Sequence, residues 1–159
     1  MPRKLSHIDP RGRVRMVDVS EKPVTRREAV ARGCIHMANA TLKAVTEDEG
    51  PKGNVLATAH LAGVMAAKKT DSLIPLAHSL PLESVTLSFT PDPKETCIRI
   101  EARVVCSGRT GVEMEALTAV SIAALTIYDM LKAIDRGMTI GEIALWEKRG
   151  GRSGTYSRK

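Results

Sequence analysis

Gly111-Val112-Glu113-Met114-Glu115-Ala116-Leu117-Thr118-Ala119-Val120-Ser121-Ile122-Ala123-Ala124-Leu125-Thr126-Ile127-Tyr128-Asp129-Met130-Leu131-Lys132 is the stretch on which the fold turns. It predicts one long Ala-rich helix from Val112 to Ile134, ended by Gly137. Apolar residues cover most of its circumference, and a helix of that kind is buried on nearly every side. A chain of 159 residues has material for a single core. The remaining burial is therefore expected from a second subunit.

Upstream of the helix lies Ser107-Gly108-Arg109-Thr110-Gly111, a breaker, and before it Thr86–Phe89 and Cys97–Val105 alternate at period two around Pro91-Asp92-Pro93-Lys94. That is a hairpin signature. Asn54 is a suitable N-cap for a helix running to Lys69, with Val55, Leu56, Ala59, Ala62, Val64 and Met65 on its apolar face. A short helix over Asn39–Glu47 precedes it and stops in Glu47-Asp48-Glu49-Gly50-Pro51. Val24–Met37 alternates as a strand, and Met138–Trp146 supplies a last one. The order strand, helices, strand, strand, helix, strand is the split β-α-β plan: an α+β, ferredoxin-like subunit whose antiparallel sheet carries its helices on one face. Residues 1–13 read as a flexible basic arm, 14–154 as the single domain and 155–159 as a tail.

Composition excludes several classes. Phe89, Tyr128, Trp146 and Tyr156 are the only aromatic residues, so the core is aliphatic and there is no row of platforms on which bases could stack. The net charge of +6 is concentrated at the ends: residues 1–15 and 147–159 carry five Lys or Arg against one acid each, and the middle is slightly acidic. Cys34, Cys97 and Cys106 form no C-x-x-C pair and are expected to be reduced, mostly buried thiols. The opening residues lack an apolar signal segment, and the polar residues within Ala116–Ile127 argue against a membrane span, so a cytoplasmic protein is expected.

The chemistry-bearing residues gather in a few places. Nucleotide-loop, hydrolase-elbow and zinc-protease motifs are absent, and His7, His36, His60 and His78 are scattered, so no metal site is expected. The long helix is uncharged from Ala116 to Tyr128 and then presents Asp129 and Lys132 three residues apart, ~60° around the axis. If the helix is buried there, the pair sits in low dielectric, where proton transfer near neutral pH becomes accessible. An ion pair that closes the helix or locks an interface is the structural alternative. Glu113 and Glu115 suit the positive end of the helix dipole, yet Glu115 and Asp129 lie ~21 Å apart along the axis. If both serve one reaction, the two ends serve different pockets or a second chain completes one pocket. Pro51-Lys52-Gly53-Asn54, Ser107–Gly111, Lys148-Arg149-Gly150-Gly151-Arg152-Ser153-Gly154 and Lys68-Lys69 together suit a phosphate-rich small molecule. His78 stands alone in the apolar, proline-stiffened Leu73–Leu82, either as a satisfied core residue or as a rigidly presented imidazole.

Taken together, Gly111–Ala119, Leu125-Thr126-Ile127-Tyr128-Asp129-Met130, Lys132, Met16-Val17-Asp18-Val19 and Ile74-Pro75-Leu76-Ala77-His78 resemble the MoaC family of molybdenum cofactor biosynthesis, from about Ser6 to Gly154. The resemblance implies a lyase that rearranges a cyclised dihydro-GTP into a cyclic pyranopterin monophosphate with loss of pyrophosphate. It implies a homohexamer, a trimer of dimers with the pocket at the dimer interface, and neither metal nor redox cofactor. It assigns Asp129, Lys132 and Lys52 to catalysis. Leu76, Ala77, His78, Met114 and Glu115 fall to substrate binding, and Arg27, Lys68, Glu113 and Lys148 to other pocket positions. In this picture Lys68, Lys148 and Arg27 hold the triphosphate while Asp129, Lys132 and Lys52 move protons. Where the family often carries Cys-His-Pro, this chain has Ala77-His78-Ser79, so a thiol at 77 is not required and loop rigidity rests on Pro75 and Pro81.

Two other classes compete. An RNA- or nucleotide-sensing ferredoxin-like module predicts stacking aromatics on the central strands, and Val24–Met37 contains none. An interaction module with a purely structural Asp129–Lys132 pair predicts that Lys132→Ala abolishes assembly.

Overall fold

The computed structural model describes residues 5–47 and 54–159. Among the described residues, five strands and four helices follow one another as β1 (Thr25–His36), α1 (Asn39–Thr46), α2 (Val55–Lys68), α3 (Thr70–Leu73), β2 (Leu82–Asp92), β3 (Cys97–Gly108), α4 (Glu113–Leu131), β4 (Thr139–Arg149) and β5 (Tyr156–Ser157). The sheet order is β2-β3-β1-β4-β5 and every pairing is antiparallel. This is the α+β, ferredoxin-like arrangement with helices on one face. The pairing of Tyr156–Ser157 with Glu147 and Lys148 makes a short edge strand of residues read from sequence as a tail. Two residues carry too little periodicity to announce a strand.

Alternation decides which side of each strand meets the helices. Along β1, Ala29, Ala31 and Ile35 pair across from Val104, Ala102 and Ile98 of β3, and these side chains make the core with Ala116, Ala119, Val120, Ala123 and Ile127 of α4. Small residues allow close approach. A Cβ on Gly33 would come 2.8 Å from Val120 Cγ1, and one on Gly63 of α2 would come 2.5 Å from Leu87 Cδ2 and 3.1 Å from the Ala119 carbonyl of α4. The side chain of Asn54 caps α2 by accepting from the Ala57 N–H at 2.8 Å.

The opposite sheet face is polar and internally paired. Arg32 meets Glu101 at 2.6 Å, Arg99 meets Asp92 at 3.0 Å, Arg103 pairs with Glu28, and the Arg32 guanidinium stacks 4.7 Å from the Trp146 ring. These cations already have partners across the strands. Cys34, Cys97 and Cys106 are buried free thiols, and burial raises all three above the ordinary thiol range, Cys34 to about 11.

Among the described residues α4 is the one helix long and apolar enough to cross a membrane by length and composition. Its residues instead bury Ala116, Ala119, Val120, Ala123, Ala124, Ile127 and Leu131 completely within the domain. Burial on nearly every side, as read from composition, does not hold within one chain. Leu125 stays 53% exposed on α4, as do Leu61 and Met65 on α2 at 60% and 49%.

Candidate functional site

The N-terminal end of α4 faces a loop stiffened by two prolines. After α3 the chain turns at Ile74–Ala77, where the Ala77 N–H donates to the Ile74 carbonyl at 3.0 Å, and then extends through His78, Ser79, Leu80 and Pro81 into β2. His78 Nε2 donates to the Val17 carbonyl at 2.7 Å, which ties the N-terminal segment to this loop. A carbonyl can only accept, so Nε2 carries a proton in this contact. A cavity of about 840 Å³ opens between the loop, the segment around Val17 and the start of α4, lined in part by Leu76, Ala77, His78, Glu113, Met114 and Glu115. That volume accommodates a nucleotide-sized molecule.

Glu115 is the unusual wall residue. It is 4% exposed, and burial pushes its carboxyl up to about 7, with the nearby carboxylates of Glu113 and Asp71 acting in the same direction against the local backbone N–H. At neutral pH it is divided between acid and carboxylate, a condition suited to proton exchange in a closed site. Glu113 folds back over Gly111, its carboxylate filling the space that a Cβ there would take. The Glu113 carboxylate is met at 3.4 Å by Lys148 Nζ, which also donates to Ser153 Oγ.

Beside this cavity is a cationic one. Arg27, 8% exposed, donates from Nε to the Gly108 carbonyl at 3.3 Å, and the glycine loop after β4 lies directly on it. Gly150 and Gly151 have φ of +95° and +80°, a Cβ on Gly150 would run into the Arg26 carbonyl and one on Gly151 would meet the Arg27 guanidinium, so conformation at both positions and backbone closeness at Gly150 demand glycine. Lys22, Arg27, Arg109 and Arg152 line a pocket of about 470 Å³. Thr25 lines it too, and among the described residues its Oγ1 is a buried side-chain oxygen with no hydrogen-bond partner. Several cations and an unsatisfied hydroxyl around one hollow suit an anion with several oxygens.

The sequence candidates therefore divide. Leu76, Ala77, His78, Glu113, Met114 and Glu115 share the larger cavity, while Arg27 lines the cationic one and Lys148 bridges toward it through Glu113 and Ser153. Lys68 lines a groove of about 300 Å³ between α2 and β2 that shares Leu80 with the larger cavity. Asp129 and Lys132 stand at the other end of α4. Lys132 Nζ lies 2.6 Å from Asp129 Oδ1, with side-chain exposures of 53% for the lysine and 61% for the aspartate. The low-dielectric setting inferred for this pair is absent within the chain, because both residues lie on the solvent side of the last turn, while Ile127, Met130 and Leu131 on its other side are buried in the core. Lys52 lies outside the described residues. Arg109 and Arg152 were visible as members of glycine-rich stretches but not as partners of each other. Lys22 and Thr25 carried no signal, since only tertiary folding brings them to the same hollow.

A model of the MoaC family matches residues 16–151. The chain is 59% identical over 156 residues to the cyclic pyranopterin monophosphate synthase of Thermomicrobium roseum, covering 98% of this chain and 94% of that one. It is also 59% identical over 156 residues to the protein of that name from Chloroflexus aggregans, with the same coverage. To the one from Parvibaculum lavamentivorans it is 55% identical over 157 residues, covering 99% and 98% of the two chains.

Proposed function

The chain belongs to the MoaC family, and on that premise we propose that it is a lyase of molybdenum cofactor biosynthesis acting as a cyclic pyranopterin monophosphate synthase. Its substrate is (8S)-3',8-cyclo-7,8-dihydroguanosine triphosphate, and its products are cyclic pyranopterin monophosphate and pyrophosphate. The observation that carries this reading is the adjacency of two hollows of different chemistry. One is lined by His78 and the buried Glu115, the other by Lys22, Arg27, Arg109 and Arg152. A nucleoside triphosphate has the same division, a polar ring system at one end and a polyanion at the other.

In the proposed mechanism the cations Arg27, Lys148 and Lys68 hold the triphosphate and stabilise the pyrophosphate as it leaves. Asp129, Lys132 and Lys52 transfer protons as the purine-derived ring opens and the pterin closes, by acid–base chemistry that asks for no metal. His78, Leu76, Ala77, Met114, Glu113 and Glu115 position the ring system. Because Glu115 and Asp129 stand ~21 Å apart along one helix, a complete site takes the N-terminal end of α4 from one chain and the C-terminal end from another. A dimer-interface pocket within a cytoplasmic homohexamer, a trimer of dimers, satisfies that demand. The exposed Leu61, Met65 and Leu125 supply apolar surface for such assembly.

Purified protein given the cyclised GTP intermediate is expected to release pyrophosphate and the pyranopterin in equal amounts. Absence of both products, under conditions where the intermediate survives, would overturn the assignment.

A further inference from the structure

We propose that Cys34, His36 and Glu142 form a binding site for one zinc-like divalent ion, at the end of the sheet remote from both cavities. Their donor atoms, a thiol sulfur, an imidazole nitrogen and a carboxylate oxygen, all lie within 4.8 Å of one another. Cys34 and His36 are two residues apart on β1 and so share a face. Glu142 follows Gly141 on β4, and Gly141 is the register partner of Cys34. The sequence conceals this trio because two ligands come from one strand and the third from a strand about a hundred residues later.

Three details point to a ligand. His36 Nδ1 donates to the Glu95 carbonyl at 3.2 Å, which leaves Nε2 with its lone pair 3.2 Å from Cys34 Sγ. A backbone carbonyl holding the far nitrogen is the usual way a metal-binding imidazole is oriented. Glu142 has φ +55°, a left-handed conformation that a glutamate adopts at a cost and that brings its carboxylate to the other two donors. A Cβ on Gly141 would meet nothing within 4 Å, so there is open space beside the cluster.

One sulfur, one nitrogen and one carboxylate suit zinc or cobalt(II), with water completing a tetrahedron. On binding, the metal–sulfur bond forms, the Cys34 proton leaves to solvent and nothing is oxidised or reduced. Nine residues of extended strand separate His36 from Arg27, ~30 Å, so the ion is not part of the reaction centre. It would instead clamp β1 to β4 next to the register shift between Arg32 and Cys34.

Chelator-treated protein titrated with cobalt(II) is expected to bind one equivalent, with thiolate-to-cobalt charge-transfer absorption and tetrahedral d–d bands that one equivalent of zinc removes. Cys34→Ser is expected to abolish the charge-transfer band, and His36→Gln, at a half-exposed position, to weaken binding about tenfold or more. Glu142→Gly is expected to lose the zinc-induced rise in unfolding temperature while the metal-free variant melts above the metal-free wild type, since glycine relieves the left-handed backbone. A wild-type titration with no thiolate band overturns the proposal, as does a band that survives in Cys34→Ser. If Cys34→Ser does not fold, undiminished binding by His36→Gln overturns it equally.

Discussion

The two ends of α4 use the same helix for opposite purposes. At the N-terminal end the chain encloses its own chemistry: Glu115 is buried at 4% exposure, roofed by the loop carrying His78 and flanked by the Glu113–Lys148 pair. At the C-terminal end Asp129 and Lys132 are paired at 2.6 Å in the open, each more than half exposed. Burial makes the first carboxyl titrate near neutrality, whereas the second pair has within its own chain no such environment. Within one chain, then, the same helix borders an enclosed cavity at one end and carries an exposed ion pair at the other.

The largest effect expected from breaking the exposed end is on turnover. Lys132→Ala is expected to lower product formation by about 10³-fold, the scale on which losing a proton-transfer group acts, with the oligomer intact by light scattering. A sharper version co-expresses Lys132→Ala with His78→Ala. If each pocket joins the two ends from different chains, mixed dimers have one intact site in two and random pairing restores about a quarter of wild-type activity. No restoration would show that both ends act within one chain.

At the enclosed end the expected effect is on stability and depends on pH. The Glu115 carboxyl is raised from its ordinary range to about 7, so the folded state holds a proton that the unfolded chain has released. The stability linked to that proton is complete below the unfolded value, falls as pH rises, and is gone once pH exceeds about 7. Glu115→Gln removes the penalty. In urea unfolding it is expected to exceed the wild type by about 3 kcal/mol above pH 8 and to match it near pH 4. Equal stability of the two proteins at both pH values would mean that Glu115 is not buried as a titrating acid.

A smaller effect is expected in the cationic hollow beside that end. Gly151→Ala puts a Cβ onto the Arg27 guanidinium at a φ of +80°, so both the glycine loop and Arg27 must shift. The left-handed conformation alone costs about 1 kcal/mol. A several-fold rise in KM for the triphosphate substrate is expected, with kcat nearly unchanged. An unaltered KM would remove Arg27 and the glycine loop from substrate binding.

Much of this contrast was readable from residues, and the unreadable part has a physical cause. The alternation in Cys97–Val105 and the apolar run of α4 are local patterns, and they produced the sheet, the hairpin and the helix. Helix burial is not local. The composition around Asp129 gave no indication of which side of the last turn faces solvent, so a buried pair was expected where an exposed one stands. β4 extends three residues past Trp146, to Arg149, because Glu147, Lys148 and Arg149 pair with Val30, Ala29 and Glu28 of β1, a pairing that the charged run Glu147-Lys148-Arg149, without apolar alternation, does not announce. Glu113, Glu115 and His78 were legible as candidates because they lie in long motifs. Lys22 joins Arg27, Arg109 and Arg152 only through pairing of β1 with β3 and β4, which no window of sequence contains.

The smallest expected effect tests whether the exposed pair is machinery or scaffold. An ion pair with both side chains more than half in solvent is worth about 0–1 kcal/mol, since water screens the attraction and ordering a lysine costs entropy. Lys132→Ala is therefore expected to leave urea unfolding within about 1 kcal/mol of the wild type, even as turnover collapses, and added salt is expected to narrow that difference further. A loss of 3 kcal/mol or more, accompanied by dissociation, would place the pair desolvated in a subunit contact, where removing one partner strands the other charge. That outcome would make the C-terminal end of α4 a lock between chains instead of a source of protons. The separation of a large kinetic effect from a negligible stability effect is what distinguishes a catalytic pair from a structural one, because a group that acts only on the reacting atoms contributes little to the folded state before substrate arrives.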